Sequence, residues 1–282
     1  MPDLPAILPS VIDVRYATHP SELPTLPPDE LRARFVLEDL FRPGAVSWTL
    51  THHDRILIGG ALPEGGELDL EAPAEIAAER LCDRREIGVV CIGGSGEVVA
   101  DGERIAVGAE DIVYVGAGTA SVSLAGDAAY YMVCAPSHAQ HSTRVARRAE
   151  VETVPLGDQG HANVRTLRKY IHQGGLASNE LAMGITTIEP GSVWNTMPCH
   201  THDRRTEIYL YFDLPEQDRI VHLCGQPDRT RSLIMADRQA VISPSWSVHT
   251  GAGTSSYKFV WCTAGENIAY DDMDLVATAD LR

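Results

Sequence analysis

The sequence predicts an all-β protein: two tandem β-barrel modules, 1–135 and 166–282, joined by a linker at 136–165. Three observations predict it. Most of the chain consists of short apolar runs rich in Val, Ile and aromatic residues, each cut by Gly, Pro or Asp, the pattern of strands separated by turns. Only two segments carry a helical pattern. The opening of one strand recurs: Asp83-Arg84-Arg85-Glu86-Ile87 returns about 120 residues later as Asp203-Arg204-Arg205-Thr206-Glu207-Ile208, and each copy leads on to a glycine-rich turn.

Each element follows from its residues. The N-terminal "MPDLPAILPSVIDVR" has no basic residue before Arg15 and carries prolines in its apolar part, so it does not read as a secretory leader. "PPDELRARFVLEDLF" sets Leu31, Phe35 and Leu40 roughly on one face behind a Pro-Pro-Asp start and predicts a helix. "APAEIAAERL", 72–81, is the second predicted helix. In the first module "RILIGGAL", "IGVVCIGG", "GEVVA", "DIVYVGAG" and "YYMVCAP" predict strands; in the second, "LAMGITTI", "EIYLYFDL", "RIVHLCG", "AVISPSW" and "YKFVWCTAG" do. "GGSGEVVADG" reads as a hairpin turn and not a phosphate loop, because no Lys-Ser/Thr pair follows it and the next run is a strand. The linker is polar and turn-rich.

At 282 residues and 44% hydrophobic, the chain can bury a substantial core. Its 23 basic and 39 acidic residues give a net charge of −16, which argues against nucleic acid and anionic membranes as partners. A small anionic substrate stays open, since a few Arg or Lys make a local pocket. The six cysteines form no C-x-x-C pair, and Cys91, Cys134 and Cys262 lie in apolar strand runs, which predicts a reduced, cytoplasmic protein. No run approaches the roughly 18 apolar residues of a membrane span.

The chemistry concentrates in "MPCHTHDRRTEIYL". In a strand His200 and His202 point to one face, and Glu207 returns to that face after a short turn. His249, just past a Pro-Ser turn in "SPSWSVHTGAG", can be brought alongside by an antiparallel neighbour. Three imidazoles and a carboxylate form an N/O set suited to zinc, with iron, manganese or nickel open. The competing reading is a polar loop that contains histidines. The repeat favours the metal, because aligning Glu86 with Glu207 places Glu79 and Leu81 where His200 and His202 stand; barrel closure alone does not require the histidines. "HHDR" at 52–55 lies outside both halves of the pattern and reads as polar surface.

The pattern resembles the cupin metal motif: H-x-H-x4-E over His200 to Glu207 and P-x4-H from Pro244 to His249. It departs from it in detail: Gly191 stands further from His200 than the usual glycine, no glycine closes the first half after Glu207, Trp246 replaces the glycine of the second half, and no Asn follows His249. The two-module form is similar to the bicupins. "HHDRILIGG", "RREIGVVCIGGSG", "QAVISPSWSVHTGAGT" and "GENIAYDDMD", taken in order with the metal stretch, resemble the 5-keto-4-deoxyuronate isomerase family over most of the chain. The resemblance implies two jelly-roll barrels, one zinc per subunit held by His200, His202, Glu207 and His249, and a homo-hexamer. It also implies isomerisation of 5-dehydro-4-deoxy-D-glucuronate to 3-deoxy-D-glycero-2,5-hexodiulosonate in pectin and uronate breakdown.

Isomerising a 2-hydroxyaldehyde moves a proton from C2 to C1 through an enediol. It needs a base over the carbon, a group that stabilises the enediolate oxygen, and a proton path between the two oxygens. Glu266, Asp272 and Lys169 are the catalytic candidates. The substrate carboxylate calls for arginine, and Arg165, Trp194, Asn195, Thr196 and Arg205 are the substrate-binding candidates. His222, Tyr209 and Tyr211 read as packing residues. Two other functions fit the same motif: a cupin dioxygenase holding iron, and a non-catalytic uronate-binding bicupin.

Overall fold

The computed structural model describes residues 11–282. Two compact units make up the fold. One contains the described residues up to Val14 together with Asp39–Leu50 and Arg55–Arg148; the other contains Arg15–Glu38, Thr51–Asp54 and Ala149–Arg282. Chain order and packing therefore do not coincide, because two early segments belong with the C-terminal half. The all-β expectation holds: strands dominate and a single α-helix is present among the described residues. No helix of the described residues is long and apolar enough to cross a membrane.

The first unit is organised by one long antiparallel pair. Arg85–Ala100 runs against Val122–Pro136 from Arg85 opposite Pro136 to Ala100 opposite Val122, with a register shift between Cys91 and Gly93. Alternation turns Ile87, Val89 and Cys91 into a core that also holds Trp48, Leu57, Val113, Leu124 and Met132. The hairpin turn expected in "GGSGEVVADG" falls at its end, and "GGSG" itself is strand. It lies inside the long strand beside the register shift, and the chain reverses afterwards at Asp101-Gly102. Gly94 has φ +76°, and a Cβ there would stand 2.0 Å from the Asp127 carbonyl oxygen, so a glycine is required where the two backbones meet.

The second unit holds the histidine motif. Its larger sheet runs Thr153–Leu156, Arg165–Ile171, Ala182–Ile188, Lys258–Gly265, Arg205–Phe212, Ala240–Ser243, Val36–Leu37. A smaller sheet runs Trp194–Asn195, Thr250–Gly253, Ile220–Cys224, Arg231–Met235. Arg205–Phe212 lies between Lys258–Gly265 and Ala240–Ser243. Period-two alternation sends Glu207, Tyr209 and Tyr211 to one face of it and Ile208 and Leu210 to the other. The Tyr209, Tyr211, Tyr257 and Phe259 rings meet with centroids 4.6 to 6.4 Å apart, a buried aromatic wall beside the histidines.

Both helix expectations need correction. The first helix covers Pro28–Phe35 and buries Leu31 and Phe35, but Val36–Leu37 leave it to form the edge strand beside Ala240 and Val241. Pairing to an open sheet edge outweighs the helical pattern there, and Val36 is a β-branched residue. Over 72–81 only Ala74–Ile76 forms a 3₁₀ turn, which ends in a left-handed Ala77 with φ +49°. A segment this short has little intrinsic helical stability. Here Arg84 donates to the Ala77 carbonyl and the Asp83 carboxylate accepts from the Arg80 amide, holding turns instead.

Candidate metal centre

The second unit brings His200, His202, Glu207 and His249 together, all buried, with one potential ligand atom of each within 4.8 Å of the others. Three segments deliver them. The short strand His200–Thr201 pairs with Asp274–Leu275, Arg205–Phe212 carries Glu207, and the turn leading into Thr250–Gly253 carries His249. His202 Nε2 and His249 Nε2 each lie 2.8 Å from Glu207 Oε2, while His200 Nε2 lies 3.1 Å from His202 Nε2 and 3.0 Å from His249 Nε2. A tetrahedral site with metal–donor distances of about 2.1 Å has donor–donor edges of about 3.4 Å. The spacings of 2.8 to 3.1 Å are tighter than those edges, and they group the four atoms about one point.

The protonation states agree with that reading. The Asp272 carbonyl, which can only accept, lies 2.7 Å from His202 Nδ1, so the ring proton sits on Nδ1 and the Nε2 lone pair faces the cluster. His249 Nδ1 stands 3.4 Å from the Ser247 carbonyl in the same sense. Burial, reinforced by His249, pushes the His200 pKa down to about 2 and keeps the ring neutral. Burial alone would raise the Glu207 carboxyl, but His249 and His202 hold it well below the usual range, so it stays ionised. Three imidazoles and a carboxylate form a donor set for a divalent metal.

The cluster borders a cavity of about 340 Å³, of the size small-molecule sites have, roughly 300–1,000 Å³. His200, His202 and Glu207 line it, and His249 does not, so the set is open on one side. The other charged lining residues are Arg165 and Arg205. Arg165 donates to the Asn163 carbonyl at 2.9 Å and has no carboxylate partner among the described residues; burial lowers its pKa. Arg205 is 2% exposed and is committed to backbone, with Nη1 on the Ala269 carbonyl at 2.7 Å and Nη2 on the Asp272 carbonyl at 3.2 Å.

Not every candidate reaches the cavity. Thr196 does, with its hydroxyl 2.9 Å from the Tyr209 hydroxyl. Asn195 is fully buried behind it, bonded to the Tyr257 hydroxyl at 2.8 Å and accepting from the Gly251 amide, a packing role. Trp194 is half-buried and pairs with Ala252 at the end of the smaller sheet, outside the lining. Glu266 is exposed, and only its amide is used, donating to the Arg204 carbonyl. The Asp272 carboxylate faces away from the cavity, bridged by Arg204 Nε at 2.8 Å and by Asn267 at 2.6 Å. These contacts pull its pKa well below the usual range. Lys169 Nζ sits 4.6 Å above the Tyr270 ring rather than in the cavity. His52 and His53 stand apart from the cluster, and His53 Nε2 accepts from the Thr18 amide at 3.1 Å.

Sequence reasoning passed over the aromatic lining. Tyr209 shares a strand face with Glu207 and was legible by period two. Tyr270, Trp261, Phe259 and Met273 also line the cavity, and only the fold of the C-terminal segment brings Tyr270 and Met273 there.

Residues 38–278 match the KduI/IolB family. The chain is 49% identical over 279 residues to a protein of Kineococcus radiotolerans named 4-deoxy-L-threo-5-hexosulose-uronate ketol-isomerase, covering 96% of this chain and 100% of that one. A protein of the same name from Caldicellulosiruptor bescii is 43% identical, with the same coverage of both chains. Among solved structures, an IolB-like protein of Salmonella typhimurium superposes with a TM-score of 0.65 at 18% identity, covering 78% of this chain and 86% of that one. A variant of Bacillus subtilis oxalate decarboxylase superposes with a TM-score of 0.54 at 12% identity over 76% of this chain and 70% of that one. At those identities the two structures speak for the bicupin fold alone.

Proposed function

This chain belongs to the KduI/IolB family, and from that premise we propose that it is a metal-dependent ketol-isomerase of uronate catabolism. Its substrate is 4-deoxy-L-threo-5-hexosulose uronate, which is 5-dehydro-4-deoxy-D-glucuronate, and its product 3-deoxy-D-glycero-2,5-hexodiulosonate. One observation carries the reading: a His₃Glu cluster opens on a cavity that also presents Arg165, an arginine with no carboxylate partner among the described residues.

His200, His202, Glu207 and His249 would hold the cation, with zinc as the first choice for this N/O set. A divalent ion there supplies Lewis-acid polarisation of the substrate carbonyl and needs no change of redox state. Arg165 takes the substrate carboxylate, since its fork matches two carboxylate oxygens. Glu207 is the only carboxylate in the cavity lining among the described residues. Both of its closest contacts run through Oε2, which leaves Oε1 to take the C2 proton and return it at C1. The apolar wall of Phe259, Trp261, Leu167 and Met273 limits water at the reacting carbons. The hexamer implied by the sequence resemblance is carried with this reading, and sedimentation of the purified protein tests it.

The reading is tested by stripping the protein with chelator and restoring zinc, iron, manganese or nickel singly under anaerobic conditions, with isomerase turnover as the readout. Restoration by a redox-inert ion without oxygen is expected. Oxygen uptake by an iron-loaded sample that never isomerises the substrate would overturn it.

A further inference from the structure

The C-terminal "GENIAYDDMD" brings one side chain with exchangeable protons into the cavity, and it is none of its carboxylates. Tyr270 lines the cavity, and its hydroxyl makes no hydrogen bond among the described residues. Tyr209, the other phenol of the lining, is 2% exposed and its hydroxyl is occupied by Thr196 at 2.9 Å.

The Tyr270 ring is held from several directions. It packs on Trp261 with centroids 5.5 Å apart at 56°, and Lys169 Nζ lies 4.6 Å from its centroid on a cation–π contact. Arg205 donates to the carbonyls of Ala269 and Asp272, on either side of it in sequence. The Asp272 carbonyl also accepts from His202. One arginine and one cluster histidine thus fix the segment that presents the phenol, and a phenol so fixed with an unpartnered hydroxyl is preorganised for a ligand oxygen. Burial pushes its pKa up to about 12, with the negative charge of Glu207 acting in the same direction, so it enters the reaction protonated.

We infer that Tyr270 is a catalytic residue of the isomerisation: its hydroxyl carries the oxygen-bound proton between the two substrate oxygens. The inference rests on the isomerase reading above. As the C1 carbonyl becomes an enediol hydroxyl, Tyr270 gives its phenolic proton to O1. As the C2 carbonyl forms, the phenolate takes the proton from the O2 hydroxyl. The phenol is regenerated, one proton has moved from O2 to O1, and the carbon-bound proton has passed from C2 to C1 in the same turnover. The bonds and charges balance with no other reactant.

The test compares the metal-loaded parent with Tyr270→Phe, which keeps the ring between Trp261 and Lys169 and removes only the hydroxyl. Expected is a fall in kcat of about 100-fold, within the roughly 10²–10⁴-fold worth of general acid–base catalysis, with metal content and circular dichroism unchanged. A second variant places a fluorinated tyrosine at position 270. Its more acidic phenol should move the alkaline limb of kcat to lower pH, which a packing role would not do. Parent-like kcat in Tyr270→Phe, or an unmoved alkaline limb, overturns the inference while leaving the isomerase reading intact. A metal-loaded parent that does not isomerise the uronate overturns the reading, and the inference with it.

Discussion

The Nδ1–H of His202 donates to the backbone carbonyl of Asp272 at 2.7 Å, across 70 residues of sequence. This bond sets the tautomer of a cluster histidine, and its acceptor belongs to the same segment that delivers Tyr270 to the cavity. The metal centre and the cavity wall are therefore one structure. Asp274–Leu275 pair with His200–Thr201, and Arg204 joins Asp272 and Asp274 by ion pairs at 2.6 and 2.9 Å, which bind the two further.

Removing one cluster imidazole should remove the metal. His202→Ala and His249→Ala are expected to lose bound cation, measured by elemental analysis, while circular dichroism keeps the β signature. His53→Ala is the control, since His53 bonds the Thr18 amide and stands apart from the cluster. Metal retained in both cluster variants would contradict the assignment.

Arg165 should govern substrate affinity rather than metal. A charge-assisted hydrogen bond contributes roughly 1.5–3 kcal/mol, so Arg165→Ala is expected to raise KM by about 10- to 100-fold with metal content unchanged. An unaltered KM would place the substrate carboxylate elsewhere.

The carboxylate of Asp272 should act on the attachment of the C-terminal segment. The Arg204 hydrogen bond, with that of Asn267, depresses its pKa in the folded protein. The stabilisation is therefore fully present above the ordinary carboxyl value, roughly 3.9, and is lost as pH falls through the lower folded value. Hydrogen exchange over residues 267–276 should stay slow down to about pH 4 and speed up below it. Asp272→Asn should show the faster exchange at neutral pH, and parent-like exchange in that variant would contradict the role.

Asp54 should stabilise the strand that carries Glu207. Its Oδ2 accepts from the amide of the buried Thr206 at 2.8 Å, and its own φ is +50°. Asp54→Ala leaves a buried N–H unpaired, at a cost of roughly 1–3 kcal/mol, in a conformation alanine disfavours. Asp54→Asn keeps both the acceptor and the tolerance of positive φ. The melting temperature should fall clearly in the first variant and little in the second; equal values would contradict this account.

The metal cluster was legible because its spacing is local: His200, His202 and Glu207 need only strand alternation and a short turn, and His249 needs one neighbouring strand. Tyr270 was not, because its place depends on a segment that folds back onto a strand some 65 residues earlier. The carboxylates beside it drew attention by chemical type, and yet Arg204 and solvent account for them. The adjacent Arg204 and Arg205 have similar sequence surroundings, but alternation sends one outward to Asp272 and Asp274 and the other inward to backbone carbonyls. In the first unit Arg85 likewise donates to carbonyls, those of Arg55 and Cys134. The predicted helix at 72–81 failed because so short a segment has little helical stability of its own even with its alanines, while Asp83 and Arg84 hold turns.

The most direct test of the central claim is a proton NMR time course of the purified, metal-loaded protein with 5-dehydro-4-deoxy-D-glucuronate in D₂O, with and without chelator. The account predicts loss of the aldehyde form, growth of the 2,5-diketo product, and arrest of both by the chelator. A folded, metal-loaded sample that leaves the substrate unchanged would contradict it.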